Sequence, residues 1–434
     1  MDSEFKRVMS PSLALLTLAA LTPEKHHVVI DDENINPINL DDSPDLVGIT
    51  VNVDTSTRAY EIANSYRSRN IPVILGGIHA SVNKDEALKN ASSVCVGEAD
   101  NLWRTILKDC ENGDLKQIYF DGQPVDLTKV PAPNRNIIKQ SKYLYTNILY
   151  TSRGCPYLCE FCYNSCDYVH KQYRNRSIQN VLDEIDSFST KQVMFIDDNF
   201  IGNIRWTREF LKAIKYKGLT WHAAVSSNIV NHEELLDEMQ ETGCRSLFIG
   251  FESINKNSIK SVQKNQNQID KYEKLIDSLH QRGIMVNASM VFGFDDDGPK
   301  VFQHTLDWLV ANKVETVTAH ILTPYPGTKL FKKLKEQARI VDFDWRQYNT
   351  SNVVYKPNQM TAQELSRGYN WLYKEFYSMK NIVKRLPDAP QNRIPYLLFN
   401  FGYRKYGNLF AKLGQIGFMN LLGRVARRLS YGIG

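Results

Sequence analysis

Asn147-Ile148-Leu149-Tyr150-Thr151-Ser152-Arg153-Gly154-Cys155-Pro156-Tyr157-Leu158-Cys159-Glu160-Phe161-Cys162 runs from a strand-like stretch, through an Arg-Gly turn, into three cysteines spaced C-x3-C-x2-C. Thiolates are soft ligands that suit zinc, copper(I) or iron–sulfur clusters. An ordinary 4Fe–4S cluster takes four protein thiolates, so three would leave one iron open to another molecule. Cys166 follows Cys162 closely and keeps a four-cysteine zinc or cluster site as an alternative. Structural zinc sites usually pair two C-x2-C knuckles across a longer loop. No second pair is present, because Cys95, Cys110 and Cys244 stand alone.

The 434 residues are enough for two or three domains with substantial cores. An apolar fraction of 42% and a charged fraction of 23% are those of a soluble globular protein. The formal net charge of +5 is mild for this length and gives no indication of nucleic-acid binding. Seven cysteines, one tight cluster and no recognisable signal peptide predict a cytoplasmic protein without disulfides. The apolar run Ser12–Leu21 is followed by Pro23 and is too short to span a bilayer, so it reads as a buried helix.

Upstream of the cysteines, short apolar strands alternate with helices. Strands are predicted at Val28–Ile30, Leu46–Val51, Pro72–Leu75 and Val94–Val96, and helices at Ser56–Arg69, around Lys84–Lys89 and from Asn101 to about Lys108. This α/β alternation implies a doubly wound parallel sheet over residues 1–125, with ligands bound at the carboxyl ends of its strands. Three prolines mark 126–146 and the residues just before it as an extended linker.

From 147 to 340 the pattern becomes six strand–helix units, with strands at Asn147–Ser152, Gln192–Asp197, Thr220–Val225, Ser246–Glu252, Met285–Phe292 and Thr316–Leu322. Six units imply a partial (β/α)6 barrel with its chemistry at the carboxyl ends of the strands, where the cysteine loop also falls. The remainder, 341–434, reads as a helical C-terminal region whose aromatic helix Gln363–Met379 is expected against the barrel mouth. No acidic residue follows Asp388, whereas Arg393, Arg404, Lys405, Lys412, Arg424, Arg427 and Arg428 lie among many apolar side chains. Such a segment suits peripheral contact with an anionic membrane, or docking on the protein itself.

The cysteine spacing, with the aromatic Phe161 just before the third cysteine, resembles the radical SAM superfamily. The stretches Phe195-Ile196-Asp197-Asp198-Asn199, Phe248-Ile249-Gly250-Phe251-Glu252-Ser253 and Pro324-Tyr325-Pro326-Gly327-Thr328 strengthen the likeness. Pro44–Thr50, Val73–His79 and Val96-Gly97-Glu98 resemble the cobalamin-binding domain that precedes the barrel in one class of that superfamily, which includes hopanoid C-2 methylase-type enzymes. The chain departs from many cobalamin proteins in lacking D-x-H-x-x-G, and its opening strand is shortened.

The resemblance implies a 4Fe–4S cluster on Cys155, Cys159 and Cys162, and S-adenosylmethionine cleaved reductively to a 5′-deoxyadenosyl radical. It implies that Phe161 borders the adenine, that Asp197 or Asp198 receives the methionine ammonium, and that Ser226 and Glu252 face the nucleoside. Thr50, Gly76, Gly77 and Gly97 would line a cobalamin site, glycine allowing close approach of the backbone. The implied reaction is methylation of an unactivated carbon in a lipid or natural-product intermediate, served by an electron donor such as flavodoxin or ferredoxin. A radical cyclase, oxidase or rearrangement enzyme is the alternative within the same chemistry, and an iron–sulfur or zinc interaction protein the alternative outside it.

Overall fold

The computed structural model describes residues 10–167 and 172–414, with side chains through Arg404. Its first sheet is parallel, with β1 (Val47–Thr50), β2 (Val73–Gly76), β3 (Ser93–Val96) and β4 (Ile118–Phe120) in that order. The middle strands are short, apolar and buried, as strands covered on both faces must be. Helices Ser56–Arg67 and Lys84–Asn90 cover one face through Ala59, Ile62, Ala63 and Ala87. Helix Trp103–Glu111 covers the other, packing Ile106 against Ile74, Cys95 and Tyr119.

Val28–Ile30 departs from expectation, lying outside every described sheet. β1 is an outer strand whose Gly48 and Thr50 are exposed, and Ile30 packs instead against the cluster of Leu13, Leu16 and Ile148. Without a neighbouring ladder, three β-prone residues have nothing to pair with. Helix Leu13–Leu21 does form, capped by Ser12, and buries Leu13 and Leu16 beside Ile148.

The second unit follows the strands β5 (Ile148–Leu149), β6 (Ser152–Arg153), β7 (Arg174–Asn175), β8 (Gln192–Phe195), β9 (Thr220–Ser226), β10 (Cys244–Glu252), β11 (Met285–Phe292) and β12 (Thr316–Ile321). Six of them form a parallel sheet in the order β12-β11-β10-β9-β8-β5, open between its two ends. The first barrel strand is therefore shorter than predicted: after Leu149 the chain leaves the sheet, and β6 pairs antiparallel with β7. Along β12, Val317, Ala319 and Ile321 are buried in the main core, while Thr316, Thr318 and His320 are half-buried on the other face.

Helix Ala362–Phe376 does not lie over the barrel mouth, where the aromatic helix is expected from the sequence. Helix Ala362–Phe376, started by a Thr361–Glu364 capping box, packs along β12, where the Tyr373 hydroxyl bonds the Ala319 backbone. An open sheet edge needs such cover, which explains the flank position. The intervening segment folds back on the first unit, burying Tyr348 and Val354 against Val53. Helix Met379–Lys384 and helix Pro390–Gly414 complete the described chain. Most of the basic C-terminal segment, 415–434, lies outside the described residues. No helix among the described residues is long and apolar enough to cross a membrane.

Candidate active site

The cysteine loop is anchored at its root. Asp197, at the end of β8, is buried and accepts from the Thr151 N–H at 2.9 and 3.1 Å, from Thr151 Oγ1 at 2.8 Å and from Ser152 Oγ. Burial pushes its carboxyl up to about 6, although these donors pull it down. With all its contacts directed at residues 151–152, Asp197 holds the loop to the sheet. Its neighbour Asp198 is exposed, accepts from Asn164 Nδ2 at 3.3 Å, and raises the thiols of Cys155 and Cys162 through its charge. Of the two aspartates, it is Asp198 that faces the cysteines.

Cys159 is buried, and Cys155 and Cys162 are half-buried. Burial pushes the Cys155 thiol up to about 12, and the charges of Cys162, Asp198 and Cys159 add to the rise. Cys162 and Cys159 are raised by burial as well, against the nearby Lys264 charge for Cys159. The three thiols thus sit within electrostatic reach of one another, and as metal ligands they would bind as thiolates, releasing their protons. Two receive N–H donors, from Gln266 Nε2 to Cys159 Sγ and from Asn164 Nδ2 to Cys162 Sγ, each at 3.6 Å. Cys166 is fully buried and turned elsewhere, with its Sγ 4.0 Å from the Pro326 carbonyl. Among the described residues no three Cys, His, Asp or Glu side chains converge tightly enough for one metal ion. Three spread thiols with N–H donors on two of them suit a cluster, whose potential such donors tune.

Around the loop, Asn199 is buried and accepts from the Ser226 N–H at 3.2 Å. Ser226 Oγ bonds Asn228, whose Nδ2 donates to the Tyr157 hydroxyl at 2.9 Å. The end of β9 is thereby tied to the cysteine loop. Phe161 meets Phe294 edge-on, with ring centroids 6.5 Å apart. Glu252 closes β10 at a bulge, with φ +62°, a conformation that is strained for a residue with a side chain. Its carboxylate is paired with Lys264 and accepts from Ser289 Oγ at 3.2 Å. Gly250 makes room for the pair, since a Cβ there would lie 2.7 Å from both Glu252 Oε1 and Lys264 Nζ.

Lys264 is the residue that sequence reasoning missed. The one signal for it was that a buried glutamate requires a partner. Its buried ammonium lies 6.0 Å from the Phe161 ring, between Glu252 and the cysteine loop. His320 is occupied by Thr350 Oγ1 at 3.1 Å.

In the first unit, Thr50, Gly76, Gly77 and Gly97 lie at the ends of their strands. Gly77 has φ +90°, and a Cβ would come within 2.9 Å of the Val51 backbone, so the turn itself requires glycine. The Gly97 N–H donates to Ser81 Oγ at 2.9 Å. His79 does not reach toward a ligand: it is buried and bonded to Tyr60 and Asn83, and Glu86 joins it to the Trp345 indole. Glu98, next to Gly97, receives Arg153 and Arg174 from the cysteine-loop hairpin.

Residues 149–309 match the radical SAM superfamily. Bacteriochlorophyllide d C-12(1)-methyltransferase of Chlorobaculum tepidum is 30% identical over 403 residues, 90% of this chain and 88% of that one. Hopanoid C-2 methylase of Rhodopseudomonas palustris is 27% identical over 355 residues, 78% of this chain and 67% of that one. The fold also matches that of the cobalamin-dependent S-adenosylmethionine radical enzyme OxsB, solved with aqua-cobalamin bound, with a TM-score of 0.71 and 17% identity over 99% of this chain and 76% of that one. The chain belongs to the radical SAM superfamily. It is an enzyme whose chemistry uses a 4Fe–4S cluster and S-adenosylmethionine.

Proposed function

We propose that this enzyme is a cobalamin-dependent C-methyltransferase acting on an unactivated carbon of a small natural-product or lipid intermediate. The observation that carries the reading is a juxtaposition: Gly97-Glu98 of the first sheet meets Arg153, which stands just before Gly154-Cys155. Strand ends of the kind that hold a dinucleotide-like ligand in open α/β sheets are thus brought beside the cysteine loop. The methyltransferase names of the relatives agree with this.

The assignment divides the chain into a cobalamin-binding-like domain (1–125), a linker (126–146), a barrel (147–340) and a helical region (341–434). Cys155, Cys159 and Cys162 hold the cluster, which supplies the electron that cleaves S-adenosylmethionine. Phe161 borders the adenine, and Asp198, rather than the fully bonded Asp197, receives the methionine ammonium. Ser226 and the Glu252–Lys264 pair face the nucleoside and carboxylate from inside the barrel. Thr50, Gly76, Gly77 and Gly97 line the corrinoid site, and cobalamin when bound carries the methyl group. His79, held in its own network, does not ligate cobalt. An electron donor such as flavodoxin or ferredoxin completes the system, and the basic C-terminal segment rests on an anionic membrane surface.

Anaerobic reconstitution with iron, sulfide, S-adenosylmethionine and hydroxocobalamin tests this. The expected results are corrin absorption that stays with the protein and 5′-deoxyadenosine under dithionite. The latter is lost in Cys155→Ala and kept in Cys166→Ala. Formation of 5′-deoxyadenosine without retained corrin would remove methyl transfer and favour the cyclase, oxidase or rearrangement reading.

A further inference from the structure

The two units of this enzyme are joined beside the cysteine loop by four charged side chains. Arg153 grips Asp100 in a fork, Nη1 to Oδ2 at 2.8 Å and Nη2 to Oδ1 at 2.9 Å, and also reaches Glu98 Oε1 at 3.0 Å. Its Nη2 meets the Tyr150 hydroxyl at 2.8 Å. Arg174, its partner across the β6–β7 hairpin, donates to Glu98 at 2.8 and 3.1 Å and to the Val125 carbonyl at 2.8 Å. The Val125 N–H returns to Glu98 at 3.3 Å. These side chains are 10–22% exposed, sheltered enough for the charges to act strongly on one another.

The place of the network in the chain gives it meaning. Only Gly97 separates β3 from Glu98, and only Gly154 separates Arg153 from Cys155. A bidentate arginine–carboxylate pair fixes direction as well as distance. The network therefore joins the first cluster ligand to the strand end where the proposed corrinoid site lies, with one residue of slack on either side.

We propose that Glu98, Asp100, Arg153 and Arg174 are positioning residues that set where a ligand at the end of β3 stands relative to the cluster on Cys155. The proposal rests on the methyl-transfer reading for the identity of that ligand. Radical reactions depend on placement, and misplacement by about 1 Å can cost roughly 100-fold in rate. Relaxing the network should uncouple the two halves of the reaction: radical generation continues, and transfer to the substrate carbon falls.

The test uses the full chain loaded with cob(II)alamin and with a 4Fe–4S cluster reduced by one electron to its paramagnetic +1 state, as wild type, Asp100→Asn and Arg153→Lys. Pulsed EPR reads the distance between the two paramagnetic centres, product analysis reads methylated product per 5′-deoxyadenosine, and hydrogen exchange reads residues 153–162 in protein loaded with the cluster alone. Both variants should broaden the distance distribution and lower the methylated product formed per 5′-deoxyadenosine by about 10-fold. Exchange should rise in 153–162 and stay constant in β10 and β11. Arg153→Lys, which keeps the charge and loses the fork, should fall between wild type and Asp100→Asn, and it serves if Asp100→Asn fails to fold. An unaltered distance distribution with both centres fully loaded would overturn the proposal. If the wild type retains no corrinoid, the methyl-transfer reading fails instead, and the exchange comparison then decides: unchanged protection in 153–162 refutes the positioning role.

Discussion

Lys264 and Glu252 form an ion pair with both side chains only 8% exposed, at the point where β10 ends in a left-handed glutamate backbone. A pair this deep is costly to break from one side, because the remaining charge is left buried and unmatched. Removal of one partner from such a pair typically costs about 3–5 kcal/mol. Lys264→Met is therefore expected to lower stability by that order, and Glu252→Gln,Lys264→Met to recover most of the loss. Denaturant midpoints of the two variants check this. A recovered fold that no longer binds S-adenosylmethionine would place the pair in the binding site, whereas a double variant as unstable as Lys264→Met would show that the pairing is not what holds this corner.

The neighbouring aspartates at the end of β8 give opposite expectations. Asp197→Asn loses part of a carboxylate that ties residues 151–152 to the sheet. It should lower stability by about 1–3 kcal/mol and reduce cluster loading. Asp198→Asn leaves those bonds intact and should weaken S-adenosylmethionine binding by roughly 10-fold with normal iron content. Iron analysis and calorimetric titration separate the two. Equal effects from both variants would dismiss the division of roles.

How legible these residues were depended on what each one needed. The cysteines were readable because three ligands and a strand end occur together in one short stretch. Asp197 and Asp198 were readable as a pair but not individually, because adjacent residues of the extended chain leaving β8 turn to opposite sides, Asp197 buried and Asp198 exposed. Lys264 lies in the polar stretch Gln263–Gln268, which carries no periodicity, and its partner becomes visible only once that loop folds over β10. Val28–Ile30 showed the converse. Its composition favoured a strand, but a strand needs a neighbour, and the described fold provides none beside it.

Asp297 gives a pH signature distinct from the site chemistry. It is buried, accepts from the Gly293 and Phe294 N–H groups at 3.0 and 3.1 Å and from Ser258 Oγ at 2.9 Å, and burial lifts its carboxyl to about 6. A folded-state value above the ordinary 3.8 means that the folded chain holds this proton more tightly than the unfolded chain. The contribution is thus fully present below about pH 4 and is lost as pH rises through about 6. Asp197 shares this sign. In metal-free protein, stability from these groups should fall as pH rises from about 4 to 6 and level off above that, and Asp297→Asn should remove close to one proton from that slope. Denaturation midpoints across this range supply the measurement, and an identical slope in the variant would exclude Asp297 as a source.

The C-terminal helices carry the last expectation, which concerns the membrane. Ile394, Leu398 and Phe401 recur at helical spacing on helix Pro390–Gly414, with 63%, 40% and 37% of their surface exposed. Met379 and Val383 on the preceding helix are also exposed, at 47% and 64%. Lys380, Lys384, Arg393 and Arg404 accompany them, and no acidic residue follows Asp388. An apolar stripe beside basic side chains matches the interfacial region of an anionic bilayer, where each nearby cation contributes about 1 kcal/mol. The full chain should co-sediment with phosphatidylserine-containing vesicles, release in high salt, and ignore purely zwitterionic ones. Ile394→Ser with Phe401→Ser should weaken that binding by at least about 10-fold while leaving 5′-deoxyadenosine formation in solution unchanged. Wild-type protein that stays in the supernatant with anionic vesicles at low salt would instead assign the stripe to contact within the protein.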